Sequence, residues 1–230
     1  MEKIKRFYAH IEGMIWFLKL KKKQEISVGS IIENQSAKYK NKPLILFEDK
    51  VISYSEFNEA ANRYSHLFQK RGFIKGDTVA LLMDNRPEFL IIHAGLAKIG
   101  VIPALLNNNI KGHTLVHAIN IADARALIIG HEYLEDIRKI KKDIKLKKPG
   151  NVFVECEEKK IKIPPGYEDL APLLSAEPVS NPVIQPPINS KDTLEYIYTS
   201  GTTGMPKATE LKHQKWLQLG YAAGGFSLRA

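Results

Sequence analysis

The chain has 230 residues, 44% of them hydrophobic and 26% charged, with a formal net charge of +9; this is a globular composition with apolar side chains for one good core, or for one large domain and part of another. A single cysteine, Cys156, excludes an internal disulfide, and no apolar run leads to a small-residue cleavage site near the N-terminus, so a reducing, cytoplasmic setting is expected. The positive charge is concentrated: residues 1–23 hold seven Lys/Arg against two acids and residues 138–148 hold seven against Asp143, so the remaining body is slightly acidic and, without zinc-finger or RNA-binding signatures, argues against nucleic acid as a partner.

Residues 1–25 read as a basic amphipathic helix, with Ile4, Phe7, Tyr8, Ile11, Met14, Ile15 and Leu18 on one face and lysines at 19 and 21–23 after them. Its unbroken apolar stretch, Met14 to Leu18, is far shorter than the roughly 20 residues that span a bilayer. Such a segment either rests on the inner, anionic face of a membrane as a peripheral contact or packs on its own domain. A first α/β subdomain is expected over 26–163. Ser30 and Glu33 predict a capping box and a helix to about Lys40; Pro43 opens a strand, LILFE, that turns at Asp49-Lys50 into VIS as a hairpin. Ser53 and Glu56 form a second capping box for a helix that Gly72 stops.

A regular alternation follows. Strands at 78–83, 101–106, 126–129 and 152–155 are separated by helices from Pro87 to about Ile99, from about His113 to Ala122, and at 132–145. Short, wholly apolar strands between amphipathic helices predict an α/β fold with a mostly parallel sheet covered on both faces, in which ligands bind beyond the carboxyl ends of the strands. Asp84, Asn85, Arg86, Pro87 and Glu88 stand at one such end, where capping alone accounts for Asp or Asn and Pro, and Asn107, Asn108 and Asn109 at the next, where they serve a turn. Residues 164–187 hold seven of the twelve prolines, which predicts a connection without regular structure over 164–190. A second subdomain is expected to start at 191.

There TLEYIY (193–198) reads as a strand that leads into TSGTTG and then Met205, Pro206, Lys207 and Ala208. A loop of glycines and small hydroxyl residues exposes backbone N–H groups and lets a polyphosphate approach closely, and Lys207 adds a cation at its far side. The spacing is not that of a Walker A loop, Gly-x-x-x-x-Gly-Lys followed by Ser or Thr, because Met205-Pro206 separates Gly204 from Lys207. The run YTSGTTGMPKA resembles the phosphate-binding signature of the adenylate-forming enzymes, the superfamily of acyl-CoA synthetases, peptide-synthetase adenylation domains and luciferases. Residues 54–112 (YSEFNEAANRY to LLNNNIKG) and the phrase EYIYTSGTTG are similar to the very-long-chain acyl-CoA synthetase and fatty-acid transport protein branch, and the similarity runs from about residue 30 to the end, weakest over 145–190.

The resemblance implies that Tyr198, Thr199, Ser200, Gly201, Thr202, Thr203, Gly204, Met205, Pro206, Lys207 and Ala208 bind ATP around its β- and γ-phosphates, with Thr199 as a Mg²⁺ contact. It implies a fatty acid attacking the α-phosphate of ATP to give acyl-adenylate and pyrophosphate, after which coenzyme A displaces AMP. His213 keeps the place of a family histidine, while Glu210 falls where an apolar residue is common. The family's Tyr-Gly-x-Thr-Glu segment, its ribose-binding Asp, its hinge and its mobile C-terminal domain with a catalytic lysine would all lie past Ala230. The chain therefore reads as the truncated N-terminal part of a fatty-acid ligase and is expected to be inactive alone. The alternatives are a non-catalytic nucleotide- or partner-binding protein, or a fatty-acid uptake component at a membrane.

Other signals are weaker. His113 and His117 are four apart on one helix, but neither the glutamate of a zinc motif nor a third ligand accompanies them. The acidic flanks of Cys156 predict a raised thiol pKa and a structural role. The basic run at 138–148 reads as a solvated face, or as a second contact with anionic lipid.

Overall fold

A computed structural model describes residues 26–147, 151–156, 161–200 and 204–226. The expected helix at 1–25, and Gly201, Thr202 and Thr203 of the phosphate loop, lie outside the described residues. Helix α1 (Val28–Tyr39) begins before the expected place, because the capping box forms between Ser27 and Ser30: Ser27 Oγ accepts from the Ser30 N–H at 3.1 Å and Ser30 Oγ from the Ser27 N–H at 3.0 Å. Both Ser27-x-x-Ser30 and Ser30-x-x-Glu33 have capping spacing. Glu33 instead reaches the Lys98 ammonium, 2.9 Å away.

Strands β1 (Pro43–Phe47) and β2 (Lys50–Ser53) form the expected antiparallel hairpin, with Glu48 at its turn in the left-handed region, φ 50°. The Ser53/Glu56 box caps helix α2 (Tyr54–Lys70) as expected. Strand β3 (Thr78–Leu82), helix α3 (Pro87–Lys98), strand β4 (Ile102–Leu105), helix α4 (Gly112–Ile121) and strand β5 (Ala126–Gly130) follow in the predicted alternation. The long helix expected at 132–145 is instead one turn of 3-10 helix, helix α5 (Leu134–Ile140) and a second 3-10 turn at Lys141–Asp143. Ile137 and Ile140 of α5 are buried and Leu134 packs partly against the same core, while the Lys141 ammonium at the helix end donates to the Gly166 carbonyl at 2.8 Å and lies over the Tyr167 ring.

Strand β6 (Val152–Glu155) is followed by a two-residue strand β7 (Glu168–Asp169), helix α6 (Leu170–Ser175), strands β8 (Thr193–Ser200) and β9 (Pro206–Lys212), and helix α7 (His213–Phe226). The proline-rich stretch thus contains two short regular elements that its composition hides. Seven strands form one sheet in the order β7-β6-β5-β3-β4-β8-β9, parallel throughout except for β8 with β9. Every residue of β3 and β5 is buried, as a sheet covered on both faces requires.

Helices α2 and α3 cover one face, through Phe57, Ala61, Leu67, Phe68, Ile92 and Leu96; α4 and α5 cover the other, through Leu115, Ile119, Ile137 and Ile140. A β-carbon on Gly95 would stand 2.6 Å from the Ala61 carbonyl, so only glycine lets α3 approach α2 this closely. The chain from 177 to 187 crosses α2. Proline supplies carbonyls without N–H partners, and α2 provides donors for this segment: Asn62 to the Val179 carbonyl at 2.6 Å, Arg63 to the Glu177 carbonyl at 3.1 Å and Gln69 to the Val183 carbonyl at 3.1 Å. The buried Lys98 ammonium joins α3 to this strap, donating to Asn58 at 2.7 Å and to Asn181 at 3.2 Å.

Candidate functional site

The described residues on either side of the predicted phosphate loop belong to β8 and β9, which pair as an antiparallel hairpin at the carboxyl end of β8. Strand β8 continues past Tyr198, so Thr199 and Ser200 are strand residues and pair with Lys207 and Pro206. Residues directly opposite in an antiparallel ladder share a face. Thr199 and Lys207 therefore stand side by side, and both are exposed. Ile197, one pair back on that face, is exposed too, at 41%. Gly204 holds φ +78°, and nothing lies within 4 Å of where its β-carbon would be, so the glycine is required by backbone conformation rather than by space.

The opposite face of the hairpin is fixed to α4. Tyr196 and Tyr198 pack on the core beneath that helix, the Tyr198 hydroxyl donates to the Ala118 carbonyl at 2.7 Å, and His117 Nε2 lies 3.2 Å from the Pro206 carbonyl. Nearer the base, His93 Nε2 of α3 meets the buried Glu195 carboxylate at 2.6 Å. Thus α3 and α4 grip β8 from the two sides of the sheet. Burial raises the Tyr198 phenol above its ordinary range, so it remains a donor at neutral pH.

A second polar constellation stands at the carboxyl ends of β3 to β6, where residue-by-residue reading found only caps and a turn. Asp84 accepts from the Tyr133 hydroxyl at 2.5 Å and from the Asn108 amide at 3.0 Å, and its own N–H donates to Glu132 at 2.9 Å. The Tyr133 and Asn108 hydrogen bonds hold the Asp84 carboxyl below its ordinary range. Arg86, nearly buried, bonds Glu132 at 3.0 Å and the Glu155 carbonyl at 3.3 Å, and makes no capping hydrogen bond to α3. Burial pushes the Glu155 carboxyl up to about 7 against a partly offsetting hydrogen bond from the Tyr64 hydroxyl, 2.5 Å away. The sequence carries a signal for these groups, Tyr64 apart: each ends or closely follows an apolar strand, or precedes the helix after it. Asn107 does serve the expected turn, accepting from the Asn109 N–H at 2.9 Å.

His213 is fully buried at the start of α7, where its Nδ1 accepts from the Val28 N–H at 3.1 Å and its Nε2 has no partner. Burial lowers its pKa to about 4, so it is a neutral tie between α7 and α1, the packing role open to it from sequence. Glu210 is exposed on β9 and accepts from the Thr193 hydroxyl, so a charge is tolerated there. Burial first, then Asp169 and Glu155, pushes the Cys156 thiol up to about 11, in the expected direction. His117 faces the Pro206 carbonyl, His113 is exposed, and among the described residues no group of three His, Cys, Asp or Glu is placed to hold a metal ion.

The model of the AMP-binding enzyme family matches residues 32–228, nearly the whole described chain, including the hairpin. The chain belongs to that family. A medium/long-chain-fatty-acid–CoA ligase of Mycobacterium tuberculosis is 28% identical over 222 residues, a match that takes in 95% of this chain and 34% of the relative. Human long-chain fatty acid transport protein 6 is 30% identical over 219 residues, with 92% and 34% covered. The chain thus spans about a third of the length of these curated relatives. Among solved structures, an anthranilate CoA ligase in complex with anthranoyl-AMP superposes with a TM-score of 0.74 at 22% identity over 83% of this chain and 35% of that one, and a fatty acyl CoA synthetase of Mycobacterium tuberculosis with 0.66 at 23% over 81% and 34%. The α/β fold with a mostly parallel sheet is the N-terminal fold of adenylate-forming enzymes.

Proposed function

We propose that this chain holds the β- and γ-phosphates of ATP in a ligase that activates a long- or very-long-chain fatty acid through an acyl-adenylate and passes the acyl group to coenzyme A. The observation that carries the reading is the pairing of Thr199 with Lys207 on the open face of the hairpin that flanks the sequence Gly201-Thr202-Thr203-Gly204, in a chain of the AMP-binding family. The ammonium and the backbone N–H groups of the tip would neutralise charge on the leaving pyrophosphate. Mg²⁺, when bound, supplies further neutralisation of that charge. It commonly arrives on substrate phosphates with few protein ligands, and the exposed Thr199 hydroxyl beside Lys207 fits that modest demand. The preference for a fatty acid is supported by the ligase and transport-protein relatives.

The residues that would hold adenine, ribose and acyl chain, and those that would complete catalysis, are sought in the two thirds of the relatives that this chain does not match. The membrane reading gains no transmembrane support: no helix among the described residues is long and apolar enough to cross a bilayer. Part of the basic run at 138–148 is committed internally, Arg138 to Glu135, Lys141 to Gly166 and Lys147 to Asp123, which leaves residues 1–23 as the stronger lipid-contacting candidate. Calorimetry with ATP and Mg²⁺ tests the assignment together with a thioester assay using palmitate, ATP, Mg²⁺ and CoA. The 230-residue chain is expected to bind ATP and to form no palmitoyl-CoA. Absence of ATP binding overturns the phosphate assignment, and measurable turnover overturns the division of the site.

A further inference from the structure

Helix α4 meets the hairpin through two consecutive residues that do opposite things. Ala118 accepts through its carbonyl, from the Tyr198 hydroxyl on β8 at 2.7 Å. His117, half-buried, points Nε2 at the carbonyl of Pro206, the first residue of β9, at 3.2 Å. A carbonyl only accepts, so this contact requires the tautomer or charge state with a proton on Nε2. Pro206 has no N–H and weakens the ladder where the hairpin enters its tip. Its carbonyl belongs to the same peptide unit as the Lys207 N–H, and Lys207 stands opposite Thr199. Whatever fixes that peptide plane therefore fixes where the Lys207 side chain leaves the backbone.

We propose that His117 is a positioning residue of the phosphate site: its Nε2–H, donated to the Pro206 carbonyl, holds the Pro206–Lys207 peptide so that the ammonium stays beside Thr199. The inference rests on the reading of the hairpin as a phosphate cradle. His117 itself touches no phosphate; it is on the far side of the hairpin, and its effect passes through one peptide group. This also separates it from His113, which is exposed one helical turn earlier on α4.

The test compares four forms of the 230-residue chain by calorimetry with ATP and Mg²⁺ and, separately, with inorganic tripolyphosphate: wild type, His117→Phe, His117→Asn and His117→Gln. Phenylalanine keeps the ring and removes the donor, the asparagine amide stops short at the Nδ1 position, and the glutamine amide reaches about as far as Nε2. Losing one hydrogen bond predicts about threefold to tenfold weaker binding of both probes by the Phe and Asn forms, and rescue to within about twofold by Gln. Melting temperatures taken alongside separate the two roles: a role confined to folding would lower melting without splitting the affinities of the Asn and Gln forms, and would overturn the proposal. Should the Phe form not fold, the Asn–Gln pair decides. Unchanged affinity in the Asn form, or a Gln form as weak as the Asn form, overturns the positioning role alone. A wild-type chain that binds neither probe overturns the phosphate reading, and this inference with it.

Discussion

The strand-end constellation of Asp84, Arg86, Glu132, Tyr133 and Glu155 and the hairpin pair Thr199–Lys207 are both polar; the first stands at carboxyl ends of strands in the sheet, the second where β8 ends and β9 begins. They differ in where their hydrogen bonds go. In the constellation the groups answer one another: Arg86 lies against Glu132, Asp84 against Tyr133 and Asn108, and Glu155 against Tyr64. In the hairpin, Thr199 and Lys207 are exposed and make no ion pair or side-chain hydrogen bond with other described residues. The internal partners make the constellation a structural fastener, whereas the hairpin pair has none among the described residues and, on the proposed function, keeps its polar groups for the phosphates.

Removing one member from each region sharpens the contrast. The largest effect is expected for Arg86→Met, which leaves Glu132 without its cation in a largely buried setting; stability in urea denaturation should fall by about 3 kcal/mol. If the loss is below about 0.5 kcal/mol, as at an ordinary surface site, the constellation is not a fastener. Glu155→Gln is expected to act through pH. Burial raises this carboxyl to about 7 from an ordinary value near 4.5, so between those values the folded chain binds more protons than the unfolded one. Wild-type stability should therefore fall as pH rises through that window, and the neutral glutamine should gain on wild type by roughly 2 kcal/mol between about pH 5 and pH 8. Melting curves at the two pH values check it, and parallel pH dependences would break the assignment.

The smallest change in stability is expected on the other side of the comparison. Lys207→Met should leave melting unchanged, within about 0.5 kcal/mol, because the side chain is exposed and unpaired among the described residues. Its ATP affinity should nevertheless drop about tenfold, the scale of one charge-assisted contact with phosphate. Loss of stability without loss of affinity would place Lys207 with the fasteners.

Local chemistry made much of this molecule legible. The Ser53/Glu56 box and the apolar strands each identify themselves within a few residues, since the cause of each is itself local. The errors arose where a distant partner decided. Ser27, not Ser30, caps α1, while Glu33 is held by Lys98, 65 positions away. At Lys141 the α-helix passes into a 3-10 turn, and its ammonium is held by the Gly166 carbonyl and the Tyr167 ring, 25 and 26 positions away. Asp84 and Asn108 each had an adequate local explanation that concealed their contact with one another, and nothing near His117 in sequence indicates that it faces Pro206.

Among the described strands, β9 is an outermost one, with its far side unpaired. An exposed sheet edge invites another chain to add a strand, and with it aggregation. Pro206 has no N–H to offer such a strand, and Lys207, Glu210 and Lys212 place charges of both signs along it. Substitutions at Pro206, Lys207, Glu210 or Lys212 therefore also change how readily this edge templates self-association, so variants made there to test nucleotide binding should be screened for solubility before a loss of binding is assigned to chemistry.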